Sequence, residues 1–418
     1  RRRAGDQAMS SLATTATRTT ARTDWTIVTL MALGFGLVGI DRFMITTLYP
    51  VIAKDLQLDY ADIGIVTGAL AFAWGFAALI MGNKADRLGR GNVLAGALLL
   101  FALLIGASGL AVGLMSLVLV RVVMGFADGA YTPGSIAATI EAAEPRHHGL
   151  AIGIQQMMLP AFGLGLTPLI ITELLHVVDW RWVFVIFALP GFVLAWLVWR
   201  RLPRRPLVSQ SSPTSSFGDW RAVLSFRNVR IAMALMLCWL TCLMTASALL
   251  PNYLVDYVGL EFSQMGRVMS AIGLGSAFGT LLLPWLSDRV GRKPVLLVSS
   301  AGAAASLLML ASTHNDPAAL FAWLFFVHFF NNAAITLTVG PLCAETVPTS
   351  LMATASGVVI AVGELFGGGL APVIAGRVAA TFGIDKLLLF PIATLSLAFV
   401  LSLFLVETRL IETRPRTP

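Results

Sequence analysis

Apolar runs of about 20 residues recur along nearly the whole chain, and a helix needs about that length to cross the hydrocarbon core of a bilayer. Of the 418 residues, 57% are hydrophobic and only 12% are charged, whereas ordinary soluble domains are about a quarter charged. Because no water reaches the hydrocarbon core, each span must satisfy its own backbone hydrogen bonds, which a helix does. We therefore predict an all-α membrane protein with twelve transmembrane helices. The predicted spans are 25–53, 62–82, 92–113, 115–141, 149–176, 181–200, 230–256, 264–286, 294–313, 316–342, 351–379 and 385–406.

Basic residues predict how these helices are oriented, since Lys and Arg concentrate in the loops on the cytoplasmic side of a membrane. With the N-terminus inside, 22 of the 29 Lys and Arg residues fall in cytoplasmic segments, five outside and two within the membrane. We therefore expect a multi-pass protein of the cell inner (plasma) membrane, with both termini in the cytoplasm and no cleavable signal peptide. The net charge of +7 then reflects topology, and no nucleic-acid partner is expected.

A short motif occurs twice along the chain. The sequence GNKADRLGRGNVL occupies residues 82–94 and PWLSDRVGRKPVL occupies 284–296, so that the D-R-x-G-R core is displaced by 202 residues. Six spans separate the copies, which places both on one side of the membrane and predicts a parallel repeat of two six-helix bundles. The predicted organisation is an N-terminal tail (1–23), a first bundle (24–201), a cytoplasmic linker (202–229), a second bundle (230–407) and a C-terminal tail (408–418). From Asp219 the linker can form a short interfacial helix, with Trp220, Val223, Leu224 and Phe226 toward lipid.

The repeated loop resembles the signature loop of the major facilitator superfamily. RVVMGFADGA is similar to that family's fourth-helix pattern and DWRWVF to its entry into the sixth helix, and the resemblance covers residues 24–407. It implies a transporter, not an enzyme, that works without a cofactor or metal as a monomer, with two bundles rocking about a central cavity. The resemblance implies a gating role for Asp86, Arg87, Arg90, Arg121, Asp288, Arg289 and Arg292. Acids of the loop can stabilise a helix N-terminus and its arginines can bridge to carboxylates or lipid phosphates; the alternative is that these residues only anchor the loops at the membrane surface.

Five ionisable residues lie inside predicted spans: Asp41 and Arg42 in the first, Arg121 and Asp128 in the fourth, and Glu364 in the eleventh. Placing such a group at the middle of a membrane helix costs roughly 2.5 to 3.5 kcal/mol of insertion free energy, so we expect it to face a cavity or a partner. Arg121 and Asp128 are seven residues apart and so share one helix face. Asp41 is turned about 100° from Arg42, so the two need not address the same group.

The two predicted bundles differ in these charges. Leu243 stands 202 residues after Asp41, and Phe330 stands 202 residues after Asp128. The tenth span instead offers a neutral hydrogen-bonding face. Its polar residues are His328, Asn331, Asn332 and Thr336. The first bundle thus supplies charged groups, and the second supplies neutral hydrogen-bonding groups that can orient a substrate.

This asymmetry resembles the anion:cation symporters of the superfamily, which have an Asp-Arg pair in the first helix and, in the fourth, an Arg followed seven residues later by an acid. The resemblance implies that Arg42 binds a substrate carboxylate while Asp41 and Asp128 exchange protons. A guanidinium stays charged and offers a planar fork to a carboxylate, whereas a carboxylate removed from water is readily neutralised by one proton. The alternative is a permanent Arg-Asp ion pair that joins the first and fourth helices. The acid is Asp where the branch has Glu, and YTPGS and AEPRHHG replace the usual neighbouring motifs, so substrate identity does not carry over.

The predicted function is import of a small organic anion, such as a sugar acid, an aromatic acid or another carboxylate, by proton symport. The predicted substrate-binding residues are Arg42, Tyr49, Gln156, Asn331, Asn332 and Glu364. For Glu364, a second proton site, a ligand for a hydroxyl or amine, and a helix-pairing role stay open. One alternative is an exporter of drugs or amphipathic cations, which the fixed charge of Arg42 disfavours. Another is a spinster-like lipid carrier, because such carriers share the first-helix Asp-Arg.

Overall fold

The computed structural model describes residues 23–81, 90–144, 147–202, 217–348 and 351–408, and these residues form helices and no strand. Twelve of the helices are long and apolar enough to cross a membrane, which confirms the predicted number. The first six are α1 (Trp25–Leu56), α2 (Tyr60–Met81), α3 (Arg90–Ser108), α4 (Leu114–Ala142), α5 (His148–Pro160, Ala161–Leu166 and Thr167–Leu174) and α6 (Trp180–Arg201). The second six are α7 (Arg227–Asn252 and Tyr253–Tyr257), α8 (Phe262–Val290), α9 (Arg292–Ser312), α10 (Pro317–Leu337, Thr338–Leu342 and Cys343–Thr346), α11 (Met352–Val362, Gly363–Leu370 and Ala371–Phe382) and α12 (Ile384–Lys386 and Leu389–Leu403).

Local sequence signals set several helix ends. Asp24 begins α1, where its carboxylate accepts hydrogen bonds from the backbone N–H groups of Thr26 and Ile27 at 3.0 and 3.3 Å. Such a cap satisfies donors that have no partner inside the helix. The helix ends at Leu56, and Gln57 follows in the left-handed region with φ of 54°. The predicted end of α3 at residue 113 is wrong, because the helix stops at Ser108 and a tight turn leads to α4.

The linker forms a short helix, Phe217–Ser225, beside α7 and α11, as predicted from Asp219 onward. Its apolar residues do not all face lipid. Leu224 is 38% exposed, whereas Val223 is fully buried. The prediction that Val223 faces lipid is wrong because this side of the helix packs on the second bundle.

Two bundles of six helices make up the fold, and equivalent helices pack in the same way in each. In the first bundle α2 packs on α4 and α3 on α6, and in the second α8 packs on α10 and α9 on α12. Arg42 of α1 and Met244 of α7 are 202 residues apart, and Arg42 Nη2 lies 3.6 Å from Met244 Sδ. The pseudo-twofold axis that relates the bundles therefore passes between these two residues.

The bundles meet through α2 with α11 and α5 with α8, where glycines let the helices approach closely. Gly64 of α2 faces the backbone carbonyl of Pro372, and Gly68 faces that of Gly369; neither site has room for a Cβ. These glycines lie in the first turns of α2, at the end of the molecule opposite to the linker, which we call the far end. At the far end Tyr60 of the first bundle donates a hydrogen bond to the Asp256 carboxylate of the second at 3.0 Å. The two bundles are therefore closed on each other at the far end.

Candidate substrate-binding site

Charged side chains from α1, α4 and α11 converge halfway along the helices, between the two bundles. Asp41, Arg121 and Asp128 are almost fully buried, at 0%, 1% and 2% exposure, and Glu364 is 7% exposed. The side chain of Arg42 keeps 11% of its surface exposed. All five ionisable residues inside the spans thus lie within the protein and away from lipid, as the cost of burying charge in a bilayer requires.

Arg42 joins the bundles through an ion pair with Glu364 of α11, whose Oε2 lies 2.8 Å from Arg42 Nη2. Trp74 of α2 stacks below the guanidinium, with its ring centroid 5.3 Å from Arg42 Cζ. Met244 contributes its sulfur from the other side. The guanidinium is therefore held by an aromatic face, a thioether and one carboxylate.

Arg121 lies behind this pair and contacts Asp41 of α1. Its Nη1 donates to the backbone carbonyl of Asp41 at 2.7 Å and lies 3.6 Å from Asp41 Oδ1. Asp41 and Arg42 thus address different partners, as their angular separation predicts. Asp128 is not the partner of Arg121, because seven residues correspond to about 10 Å of rise along the helix.

Several polar atoms in this buried set have no hydrogen-bond partner among the described residues. They are both carboxylate oxygens of Asp41, Oδ1 of Asp128 and Nη2 of Arg121. A buried charged group without full hydrogen bonding is costly. A proton on a carboxylate relieves this cost, so the arrangement is suited to holding protons.

A small cavity lies between the two arginines at the bundle interface. Its volume is about 20 Å³, which is room for about one water molecule. The lining residues are Arg42, Phe43, Ile45, Thr46, Thr67, Leu70, Arg121, Met244, Ser247, Ala248 and Gly368. Two arginines line it and none of the described Asp or Glu residues does.

The hydroxyl groups of the cavity are oriented by their own helices. Thr46 donates to the Phe43 carbonyl at 2.8 Å, and Ser247 donates to the Leu243 carbonyl at 2.6 Å. Thr67 likewise donates within α2. The oxygen lone pairs of these hydroxyls are then available to accept hydrogen bonds from a bound molecule. Thr67 and Ser247 were not predicted as cavity residues. A lone hydroxyl residue in a membrane helix usually donates its hydrogen bond to a carbonyl of the preceding turn, so it gives no signal in the sequence.

Other predicted substrate-binding residues lie away from this cavity. Tyr49 is fully buried and donates to the backbone carbonyl of Asp59 at 2.5 Å, which ties the end of α1 to the following turn. Asn331 donates to the Trp239 carbonyl at 3.2 Å, joining α10 to α7.

The remaining two predicted ligands also point elsewhere. Asn332 donates to Ser276 Oγ at 2.6 Å, joining α10 to α8. Gln156 is exposed, whereas the neighbouring Gln155 is buried and donates to Ser135 Oγ at 2.9 Å. These amides join helices within one bundle in the present conformation.

Part of the predicted gate is described. Asp86 and Arg87 lie outside the described residues, and of Arg90 only the backbone, as the first residue of α3, is described. In the second copy Arg292 binds Asp288 and Glu345, each at 2.6 Å.

The C-terminal segment adds contacts to the second copy of the D-R-x-G-R loop. Glu407 accepts hydrogen bonds from the backbone N–H groups of Arg292 and Lys293 at 2.9 Å, and so caps α9. Arg289 instead stacks on Trp285, with 3.9 Å between its Cζ and the ring centroid. The described contacts of this network lie within the second bundle.

Two repeated six-helix bundles with a buried charged site between them are an architecture typical of membrane transporters. The family model of the Major Facilitator Superfamily matches residues 31–372 and, a second time, residues 245–417. The chain therefore belongs to the Major Facilitator Superfamily, and it is a multi-pass membrane transporter and not an enzyme.

Similar proteins include transporters of organic acids. The chain is 31% identical to a 3-(3-hydroxy-phenyl)propionate transporter of Escherichia coli, over 79% of this chain and 80% of the relative. It is 26% identical to the sialic acid transporter NanX of the same organism, over 84% of this chain and 86% of the relative. Among solved structures, a bacterial homologue of the human lysosomal transporter spinster, in an inward-facing occupied conformation, aligns with a TM-score of 0.75 over 94% of this chain and 99% of that chain. At 18% identity the last similarity shows the fold alone.

Proposed function

We propose that this transporter imports a small carboxylate together with protons. The observation that carries the proposal is the cavity at half depth, which Arg42 and Arg121 line and no described carboxylate lines. A guanidinium keeps its charge in the membrane and binds a carboxylate through two parallel hydrogen bonds. Arg42 is the ligand we assign to the substrate carboxylate, since its side chain is 11% exposed whereas that of Arg121 is 1% exposed.

Hydroxyl-bearing acids are the substrate class we favour. The two relatives are named for a hydroxyphenyl acid and for a sialic acid, and both compounds carry a carboxylate and at least one hydroxyl. The oxygens of Thr46, Thr67 and Ser247 can accept hydrogen bonds from such hydroxyls. A cavity of about 20 Å³ must widen to admit either acid, which a rocking motion of the bundles provides.

Protons are assigned to Asp128 and Asp41. Both carboxylates are buried, and both have oxygen atoms without a hydrogen-bond partner among the described residues. The five buried ionisable groups comprise two cations and three carboxyls, so proton uptake offsets the charge that a substrate carboxylate brings. With one proton a monovalent acid is imported electroneutrally, and each further proton contributes about 2.3 kcal/mol per 100 mV of membrane potential.

The test uses purified protein in liposomes that contain a pH-sensitive dye. The external panel is 3-(3-hydroxyphenyl)propionate, sialic acid, succinate and the cation tetraphenylphosphonium. We expect internal acidification with at least one acid, and its loss in Arg42→Gln and Asp128→Asn. Arg267→Gln, which removes an exposed arginine of α8, is the matched control and is expected to transport normally. Proton movement driven by the cation and by none of the acids would contradict the proposal and favour a cation exporter.

A further inference from the structure

Glu364 is the carboxylate that occupies Arg42 in this conformation. It lies in the second bundle, whereas Arg42 lies in the first, so their 2.8 Å ion pair ties the two bundles together at the depth of the cavity. The sequence left the role of Glu364 open, and the proposed function does not yet use it.

We propose that Glu364 is a built-in competitor for the substrate. In the empty transporter its carboxylate holds the guanidinium of Arg42; the substrate carboxylate displaces it, and the displaced Glu364 takes up one proton. This inference rests on the proposed function, because it requires Arg42 to bind the substrate carboxylate. Substrate binding then also removes the ion pair that ties the bundles together.

The surroundings of Arg42 favour displacement over sharing. Trp74 and Met244 flank the guanidinium, and the adjoining cavity holds only about 20 Å³. A second carboxylate on the same guanidinium would leave one negative charge without a counter-ion in a site that is almost closed to water. Such a charge is costly, and protonation of the displaced group removes it.

The helix around Glu364 lets its side chain move. Residues Gly363–Leu370 of α11 form a wider π-helical segment that contains Gly367, Gly368 and Gly369. Such segments occur often at functional sites. Glu364 Oε2 lies over Gly368, where an added Cβ would come within 2.7 Å of it. The absence of a side chain at Gly368 is therefore what permits the carboxylate to reach Arg42.

Few charged groups surround Glu364, so a proton taken up on binding has a small set of acceptors. Arg42 contacts it directly, and Asp128 lies close enough for the two charges to interact. Asp41 and Arg121 complete the set on α1 and α4. The facing helices add none, since α2 has no charged residue from 63 to 81 and α7 has none from 231 to 251.

The test measures binding of 3-(3-hydroxyphenyl)propionate and sialic acid to the purified full-length protein, together with proton uptake in weakly buffered solution. We expect the wild type to take up about one proton more per bound acid than Glu364→Gln. Without its competitor, Glu364→Gln is expected to bind about tenfold more tightly. Gly368→Ala pushes the carboxylate away from Arg42 without removing it and is expected to tighten binding by a smaller factor. Glu173→Gln, at an exposed glutamate of α5, is the matched control.

The outcomes separate the two proposals. Weaker binding in both Glu364→Gln and Gly368→Ala would make Glu364 a substrate ligand or a packing residue and overturn the competitor, while the proposed function stands. Tighter binding with undiminished proton uptake would also overturn it, because the proton would then reside elsewhere. If the folded wild type binds neither acid, the proposed function fails for these acids and the inference fails with it. Should Glu364→Gln not fold, the proton uptake of Gly368→Ala decides, because its added methyl meets only the ends of the Glu364 and Arg42 side chains and should leave less proton uptake per bound acid.

Discussion

The two bundles have the same helices in the same arrangement, yet the buried charges of the site are distributed unequally between them. Each of the four charged positions in the first bundle has an uncharged counterpart 202 residues later. The counterparts of Asp41, Arg42, Arg121 and Asp128 are Leu243, Met244, Trp323 and Phe330. The second bundle contributes one carboxylate, Glu364, from α11, which begins 204 residues after α5, and the counterpart position, Pro160, is apolar.

This difference teaches that backbone symmetry and chemical symmetry are separate requirements. Rocking needs two similar rigid bodies, which the shared helix packing provides. Binding one carboxylate needs one cationic site, and a second copy of it would bury further charge at a cost. The second bundle presents Met244 and Ser247 to the cavity, and its one carboxylate at the site, Glu364, is paired with Arg42.

The largest expected effect comes from Arg121→Gln, which removes charge from the first bundle. Asp41 would then be left buried without its cation, and breaking a buried ion pair costs about 3 to 5 kcal/mol. We expect a large fall in the melting temperature of the detergent-purified protein and loss of transport.

The counterpart position supplies the control for this comparison. Trp323→Phe changes the equivalent site in the second bundle and is expected to cost far less. The double variant Asp41→Asn, Arg121→Gln is expected to regain much of the lost stability. Equal destabilisation by Arg121→Gln and Trp323→Phe would show that the charge asymmetry contributes nothing to stability.

An intermediate effect is expected at the glycines that pack one bundle on the other. Gly64 and Gly266 are 202 residues apart, so they are counterparts, but their neighbours differ. A Cβ at Gly64 meets the backbone of Pro372 and Val373, whereas at Gly266 the two nearest atoms belong to the Thr172 side chain and the Pro168 carbonyl follows at 2.9 Å. We expect Gly64→Ala to cost about 1 to 3 kcal/mol in far-end closure, and Gly266→Ala to cost less because a threonine can rotate.

Closure can be measured by the rate at which a maleimide added on the far side labels a cysteine placed at Ala248, which is buried and lines the cavity between the bundles. Faster labelling in Gly64→Ala than in Gly266→Ala is the expected result. The opposite order would contradict the inference that the Thr172 side chain yields to an added methyl more readily than the backbone of Pro372 does.

The smallest effect is expected from Tyr60→Phe. Its hydroxyl donates to Asp256 across the bundles, and the counterpart position already carries a phenylalanine, Phe262. Loss of one hydrogen bond of this kind costs about 1 kcal/mol, so labelling at position 248 should rise about fivefold. No change would mean that water replaces the tyrosine hydroxyl without loss.

Much of this architecture follows from the sequence. Apolar run length predicts the twelve helices, and the repeated loop predicts two bundles, because both signals are local and periodic. The predicted unequal distribution of charge between the bundles also holds, because it depends only on which residues stand at matching positions.

The pairing of side chains does not follow from the sequence. Helix periodicity places Arg121 and Asp128 on one face, but it does not show that Arg121 contacts Asp41 on another helix. The partner of Arg42 is 322 residues away in the sequence. Tyr49 and Asn331 resemble ligands in sequence yet bond to backbone carbonyls, because a buried polar group in a membrane helix takes the partner that packing brings nearest.

The contact between Arg42 and Met244 has a consequence for how such a chain can arise. A residue on the axis of a doubled bundle meets its own copy, so a freshly duplicated arginine would face a second arginine where Arg42 Nη2 now lies 3.6 Å from Met244 Sδ. Two like charges so close repel strongly where little water reaches them. At this position a duplicated ancestor can keep its cation in only one copy, and the other copy must become neutral before the doubled chain can pack.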